Sequence, residues 1–271
     1  MSDDLDDGMN NLRAALGVER GIVAAVGAGG KKSLLCALAD GDTGRLAWTT
    51  TVHSTRPPRW TGIEMHYDAE PALLDKARKL SGTSPARYGF LGQTVKSGRR
   101  PGLSPEAVGR LHRDGRFDLT LVKADGARMR GIKAPKPGEP VLPPSSDLIL
   151  YLVSAGVIGR PLDDTTAHRP ELLEAITGIE QGALLTPESV ARLLSSVDGA
   201  LSGLDACRNA CRNTCPLVPV INQVDDAGRL ELATAAARMA LERSDRFDRV
   251  VLTCLNRRKP GLGPVVAVIR R

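Results

Sequence analysis

A cluster of three glycines, two lysines and a serine lies near the amino terminus, in the stretch GAGGKKS over residues 27–33. A turn alone needs only one or two glycines. Glycines let backbone N–H groups approach an anion, the N-terminus of a following helix adds a positive dipole end, and a lysine neutralises phosphate charge. We therefore predict a phosphate-binding loop in which Lys31 also acts in catalysis. The predicted nucleotide contacts are Gly27, Ala28, Gly29, Gly30, Lys31, Lys32 and Ser33.

The spacing of this loop departs from the standard phosphate-loop pattern. Counting back from Lys31, the first glycine of that pattern would fall on Ala25, so the stretch fits a shorter G-x-x-G-K form like that of Mur-type ligases. The residue after the loop lysine ordinarily supplies a hydroxyl to Mg²⁺, and here it is Lys32. Two interpretations follow: Lys32 and Ser33 take the usual Lys-Ser places, or metal binding is weakened.

Two further clusters follow apolar runs. LTLVKADG ends in Asp125 and Gly126, where a nucleotide site needs a carboxylate to hold Mg²⁺, so Asp125 is a predicted catalytic and metal-binding residue. LAWTTTVHS offers hydroxyls that could bind Mg²⁺ or a γ-phosphate, followed by a histidine that could sense it. The predicted ligand contacts in this second cluster are Thr49, Thr50, Thr51 and His53. The predicted metal ligands are Ser33, Thr51 and Asp125.

A possible base-recognition segment, INQVDD, begins at residue 221. It is similar to the N-K-x-D signature of GTPases, with Asn222 and Asp225 in place and Gln223 where the lysine would stand. Asn222 would brace the loop, and Asp225 would accept hydrogens from guanine. A match to a four-residue signature arises readily by chance and leaves both bases open, so the predicted bound nucleotide is ATP or GTP, with Mg²⁺ as the accompanying metal.

The elements that must position these residues are short apolar strands alternating with helices. The predicted strands are 21–26, 45–50, 119–124, 148–153, 217–222, 249–254 and 265–270. Helices are predicted to begin at Ser104-Pro105-Glu106 and Thr186-Pro187-Glu188, and another to cover 230–243. Continuous apolar strands are typical of a sheet covered on both faces. The pattern predicts an α/β fold, a mostly parallel sheet flanked by helices, as one domain over 21–271 after an acidic tail over 1–20.

The amino-acid composition limits the classes of ligand and partner that this protein is expected to bind. Net charge is +6, from 37 basic and 31 acidic residues, which favours an anionic ligand, while 3% aromatic residues are too few for a base-stacking nucleic-acid surface. The acidic start lacks the features of a secretory signal, and no apolar run is long enough to cross a membrane, so a cytoplasmic location is expected. Cys207, Cys211 and Cys215 lack a fourth ligand and are predicted to be small buried hydrophobes rather than a metal site.

Taken in order, these motifs resemble the YqeC family, accessory proteins associated with selenium-dependent molybdenum hydroxylases. The resemblance covers about residues 21–226 and is most specific in LVKADGARMRGIKAPKPGEPVLP, which also includes Lys133 and Glu139. It implies a P-loop NTPase-like fold and a role in maturing these enzymes or supplying their selenium cofactor. The implied partners are a molybdenum hydroxylase client or other maturation proteins. The family pattern has a hydroxyl where Lys32 stands and a glutamate where Lys123 stands.

Three functions follow from these features. The first is an NTP-dependent, hydrolysing accessory protein. The second is a small-molecule kinase or ligase, in which Arg56 and Arg59 would hold an anionic acceptor. The third is a nucleotide- or cofactor-binding module without hydrolysis, which Lys32 and Lys123 favour because both place positive charge near the expected metal.

Overall fold

The computed structural model describes residues 12–41, 44–82, 86–207, 215–255 and 263–271. The strands of the main sheet are β1 Gly21–Gly27, β2 Leu46–Thr50, β3 Glu64–Asp68, β4 Arg87–Gly92, β5 Leu119–Lys123, β7 Leu148–Ser154, β9 Leu217–Asn222, β10 Arg249–Thr253 and β11 Val265–Arg270. A two-stranded sheet joins β6 Ile132–Lys133 to β8 Ala167–His168. The main sheet has the order β11-β10-β9-β7-β1-β5-β2-β4-β3.

All pairings in the main sheet are parallel except that of β10 with β11. The seven predicted strands and the mostly parallel α/β fold are therefore confirmed. The short strands β6 and β8 were not predicted, and two strands of the main sheet, β3 and β4, were missed for local reasons. β3 is a polar edge strand, EMHYD, and β4 contains Gly89 and Gly92, so neither forms a continuous apolar run.

The helices are α1 Lys31–Asp40, α2 Glu70–Lys79, α3 Pro105–Asp114, α4 Pro170–Thr177, α5 Pro187–Ser195 and α6 Ala227–Arg243. The predicted helix starts are confirmed, and Thr186 forms a capping box with Ser189 at the start of α5. The start of α3 is built differently, because the Ser104 hydroxyl donates to Glu70 Oε1 at 2.9 Å instead of capping its own helix. Within the described residues, no helix is long and apolar enough to cross a membrane.

Both faces of the main sheet are covered, which explains its continuous apolar strands. Along β1, Ile22 and Val26 join the hydrophobic cluster on one face, whereas Val23 joins the cluster on the other. Leu12 and Leu16 are also fully buried in that second cluster. The tail predicted over 1–20 is therefore too long, because residues 12–18 pack against the sheet. Residues 1–11 lie outside the described residues.

The central position of β1 determines where a site can form. β1 lies between β5 and β7, and the parallel strands all end at the same edge of the sheet. The loops that follow β1, β2, β5, β7 and β9 therefore gather at one edge, where open α/β sheets bind ligands. The glycine loop, the threonine and histidine cluster, Asp125 and the INQVDD segment all lie at or directly after the carboxyl ends of these strands.

Candidate functional site

The glycine loop connects β1 directly to α1, in the predicted strand–loop–helix order. Gly27 and Gly29 adopt φ values of +83° and +78°. A Cβ atom at Gly27 would lie 2.3 Å from the carbonyl oxygen of Leu152, and one at Gly29 would lie 2.5 Å from the backbone nitrogen of Ser154. Glycines are required here because the loop turns tightly against β7.

The backbone N–H groups at the start of the loop already have acceptors within the protein. Those of Gly27, Ala28 and Gly29 donate to Asp125 Oδ2, Leu152 O and Arg130 O at 2.9, 2.8 and 3.2 Å. In contrast, the first turn of any helix carries N–H groups without an intrahelical acceptor. The part of the loop able to receive an anion is therefore residues 30–33, whereas Gly27 and Ala28 lie behind it.

Asn222 supports this loop from the neighbouring strand β9. Its Nδ2 atom donates to the carbonyl oxygen of Gly29 at 2.8 Å, and its Oδ1 atom accepts from the Thr253 hydroxyl at 2.9 Å. The side chain is 2% exposed and lies outside the cavity described below. Its bracing role was predicted for a base-recognition loop, but the structure places Asn222 against the glycine loop.

Four ionic contacts beneath the loop form what we call the buried ion-pair network. Lys31 Nζ lies 2.8 Å from Asp125 Oδ1, and Lys133 Nζ lies 2.9 Å from Asp125 Oδ2 and 2.7 Å from Glu139 Oε2. Arg169 completes the network with a bidentate pair to Glu139 at 2.8 and 2.9 Å. Burial would raise the pKa of Glu139, but hydrogen bonds from Arg169 and Lys133 outweigh it and lower that pKa to about 2.

The residues present do not fit the predicted Mg²⁺ site. Both Asp125 oxygens lie within 2.9 Å of a lysine ammonium nitrogen, and of these two contacts the one from Lys133 to Oδ2 has hydrogen-bond geometry, so a metal would meet positive charge at either oxygen. Of the three predicted ligands, only Ser33 lines the cavity. In the described part of the chain, no group of three or more His, Cys, Asp or Glu residues could hold a metal ion.

The three threonines after β2 point into the protein rather than toward a ligand. The hydroxyls of Thr49, Thr50 and Thr51 donate to the carbonyl oxygens of Phe90, Lys123 and Val141 at 2.8, 2.6 and 2.6 Å. They hold neighbouring segments together, and none of the three lines the cavity. His53 does line it.

A cavity of about 650 Å³ opens beside the glycine loop. Its lining includes the predicted residues Gly29, Gly30, Lys31, Lys32, Ser33 and His53. Six further cations, mostly missed in the sequence, line it as well: Arg99, Lys123, Arg128, Arg130, Arg160 and Arg229. The described lining thus has eight Lys and Arg residues and no Asp or Glu, so we call it the cationic cavity. Besides Lys32 and Lys123, the sequence signal for this wall was the density of arginines in GARMRG.

Few of these charges are compensated. Lys31 pairs with Asp125, and Arg229 pairs with Asp225 and Asp226 at 3.0 and 3.5 Å. Among the described residues, the other six cations form no salt bridge. Lys32 donates to Thr55 Oγ1 and to the Arg56 carbonyl oxygen, which are neutral acceptors.

Lys123 lies between the buried network and the cavity. Its Nζ atom donates to the backbone carbonyl oxygen of Asp125 at 2.7 Å and so leaves the carboxylate to the two buried lysines. Burial first, and next the nearby charge of Lys31, lower the pKa of Lys123 to about 8. Lys123 therefore carries a charge that its surroundings oppose.

The loop after β5 has a strained backbone. Arg128 and Met129 adopt φ values of +46° and +65°, a region that non-glycine residues seldom occupy. Both line the cavity, and Met129 is 94% exposed. Strain of this kind persists where the surrounding structure enforces it and is common at ligand sites.

The predicted base-recognition residue Asp225 is already engaged by other residues of the protein. Its Oδ2 atom pairs with Arg229 at 3.0 Å, and its Oδ1 atom accepts from the Cys254 thiol at 3.1 Å. Gln223, the departure from the GTPase signature, lines the cavity instead. Guanine recognition by Asp225 stays a prediction.

The described cysteines of the 207–215 segment are buried, as predicted. Cys207 and Cys215 donate to the carbonyl oxygens of Pro143 and Ser146, and burial raises the pKa of Cys207 to about 11. A thiol held neutral in this way is a poor metal ligand. Cys211 lies outside the described residues.

The parallel sheet, the glycine loop before α1 and the cavity at the carboxyl edge define an α/β protein with a P-loop NTPase-like arrangement. The family model described as "YqeC protein" matches residues 23–171. The uncharacterized protein YqeC of Escherichia coli (strain K12) is 31% identical over 192 residues, which cover 69% of this chain and 73% of that relative. The chain therefore belongs to the YqeC family. The matched residues include the glycine loop and the whole buried ion-pair network, whereas Asn222 and Asp225 lie beyond them.

Proposed function

We propose that this protein binds a nucleoside triphosphate, ATP or GTP, with the phosphates in the cationic cavity. One observation carries the proposal: eight Lys and Arg side chains and, in the described lining, no Asp or Glu surround the N-terminus of α1. Like charges gathered in one cavity repel each other, and a polyanion relieves that repulsion. The volume of about 650 Å³ also suits a nucleotide-sized ligand.

Different groups around the cavity would contact different parts of the triphosphate. The first turn of α1 offers N–H groups and a positive dipole end to one phosphate. Lys31 and Lys32 add charge from the same turn, and Arg128 and Arg130 add charge from the strained loop. Arginine forks suit bidentate phosphate contacts. The binding energy therefore comes from charge and backbone donors.

We further propose that nucleotide binding serves an accessory role toward selenium-dependent molybdenum hydroxylases, in their maturation or in selenium cofactor supply. Membership of the YqeC family supports this context, together with the resemblance of the central block. The partner in this proposal is a hydroxylase client or another maturation protein.

Titration calorimetry with ATP and with GTP tests the binding proposal. We expect saturable binding of at least one nucleotide, and at least a tenfold loss of affinity in the Arg128→Ala/Arg130→Ala variant. A matched control removes two exposed arginines outside the cavity, Arg238 and Arg246. No binding of either nucleotide to the folded protein, or equal losses in the two double variants, would contradict the proposal.

A further inference from the structure

We infer that the cationic cavity takes its triphosphate as the metal-free anion, with lysine ammonium groups in the places where phosphate-loop sites hold a divalent cation. This inference rests on the proposed function and specifies the ionic form of the ligand. Three independent features of the site carry it: the residue after the loop lysine, the occupied carboxylate and the charge of the wall.

The first feature is Lys32, which follows the loop lysine directly. In a phosphate loop this position supplies a Ser or Thr hydroxyl to Mg²⁺. An ammonium group is a donor only and cannot coordinate a metal. The Lys32 ammonium is held against Thr55 Oγ1 and the Arg56 carbonyl oxygen at the cavity wall. Positive charge is thus fixed at the position of the missing metal ligand.

The second feature is the engagement of Asp125. Its carboxylate is 2% exposed, lies outside the cavity lining, and has Lys31 on one oxygen and Lys133 on the other. A metal could reach these oxygens only by displacing a buried ammonium from its partner. Breaking a buried ion pair in this way is strongly unfavourable. The one carboxylate at the end of β5 therefore neutralises lysines.

The third feature is the charge of the wall itself. Mg²⁺ in nucleotide sites is held by one or two carboxylates together with the substrate phosphates. The described lining of this cavity offers eight cations and no carboxylate. A divalent cation entering with the nucleotide would add to the repulsion and would reduce the charge of the ligand by its own two units. Lys123 and Lys32 supply the compensating charge without a metal.

The test measures ATP affinity by calorimetry in EDTA and in excess Mg²⁺, at equal ionic strength. We expect binding in EDTA, weakened several-fold by Mg²⁺ because the metal converts the ligand into a less charged complex. Affinity that is lost in EDTA and restored by Mg²⁺ overturns the inference and leaves the proposed function standing. Absence of binding in both buffers defeats the proposed function and the inference with it.

A variant that restores the metal-binding residue types sharpens the test. The Lys32→Thr/Lys123→Glu protein should lose at least tenfold of its ATP affinity in EDTA, and added Mg²⁺ should now tighten binding. Lys79→Glu, an exposed lysine of α2 outside the cavity, controls for the change of charge. Circular dichroism and thermal melting check folding, and Lys32→Thr alone replaces the double variant if that one does not fold. Unchanged EDTA affinity in the folded variants overturns the inference.

Discussion

The buried ion-pair network and the cationic cavity meet at Lys31, yet their charges are balanced in opposite ways. In the network, Lys133 is 1% exposed and touches two carboxylates, one of which also binds Arg169 bidentately. In the cavity, six of eight cations form no salt bridge to a described residue. Depth explains the difference, because a buried charge must find a partner in the protein, whereas water can solvate a charge at an open wall.

The charges of the two regions therefore have different expected roles. Lysines of the network organise the loop after β5, and substituting them should change stability. Cations of the cavity are the proposed binding groups for the triphosphate, and substituting them should change affinity. Lys31 belongs to both regions, since it lines the cavity and pairs with Asp125.

Removing Lys133 should produce the largest effect. Lys133→Met leaves Asp125 and Glu139 without their shared ammonium, and such a break costs about 3–5 kcal/mol of unfolding free energy. Urea denaturation measures the loss. Arg78→Ala, which removes surface ion pairs with Asp75 and Asp114, is the control and should cost less than about 1 kcal/mol. Similar losses in both proteins would show that the network does not stabilise the fold.

Substituting Lys31 tests the residue that the two regions share. Lys31→Met should weaken triphosphate binding at least tenfold, about 1.4 kcal/mol, because it removes a phosphate-paired ammonium from a partly desolvated loop. Calorimetry on the folded variant measures the change, with Lys79→Met as the exposed control. Unchanged affinity would assign Lys31 to the network alone.

The titration of Lys123 should make binding depend on pH. Its pKa of about 8 means that its charge, present below that pH, is lost as pH rises to 9. Affinity for the triphosphate should therefore fall several-fold between pH 7 and pH 9. Lys123→Arg keeps the charge throughout this range and should remove most of the fall. The same pH profile in both proteins would mean that Lys123 does not face the ligand.

The smallest effect is expected at Asp225. Arg229 and Cys254 already contact its two oxygens, so Asp225→Asn should change the ratio of GTP to ATP affinity by less than about threefold. Competition titrations with ATP, GTP and xanthosine triphosphate measure the ratio. A selective loss of GTP affinity with a gain for the xanthine nucleotide would restore guanine recognition to this residue and extend the binding site beyond the cavity.

Most strands of the sheet and the position of the glycine loop could be predicted from the sequence. Strands buried on both faces must be continuously apolar, so β1, β5, β7 and β9 can be recognised from the sequence. The glycines of residues 27–30 also mark the loop in the sequence, since a tight strand-to-helix turn packed on a neighbouring strand excludes a Cβ atom. The edge strand β3 could not be recognised in this way, because an edge strand needs only one apolar side and carries polar residues.

The partners of the polar residues could not be predicted from the sequence and became clear from the folded chain. Asp125 follows a strand, as a metal ligand would, but Lys31 and Lys133 reach it from segments 94 and 8 residues away along the chain and take both of its oxygens. The threonines of residues 49–51 bond to carbonyl oxygens of other segments, and the cavity cations come from loops spread between residues 31 and 229. The sequence shows which polar groups are present. Which of them contact each other depends on the distances between their side chains in the folded protein.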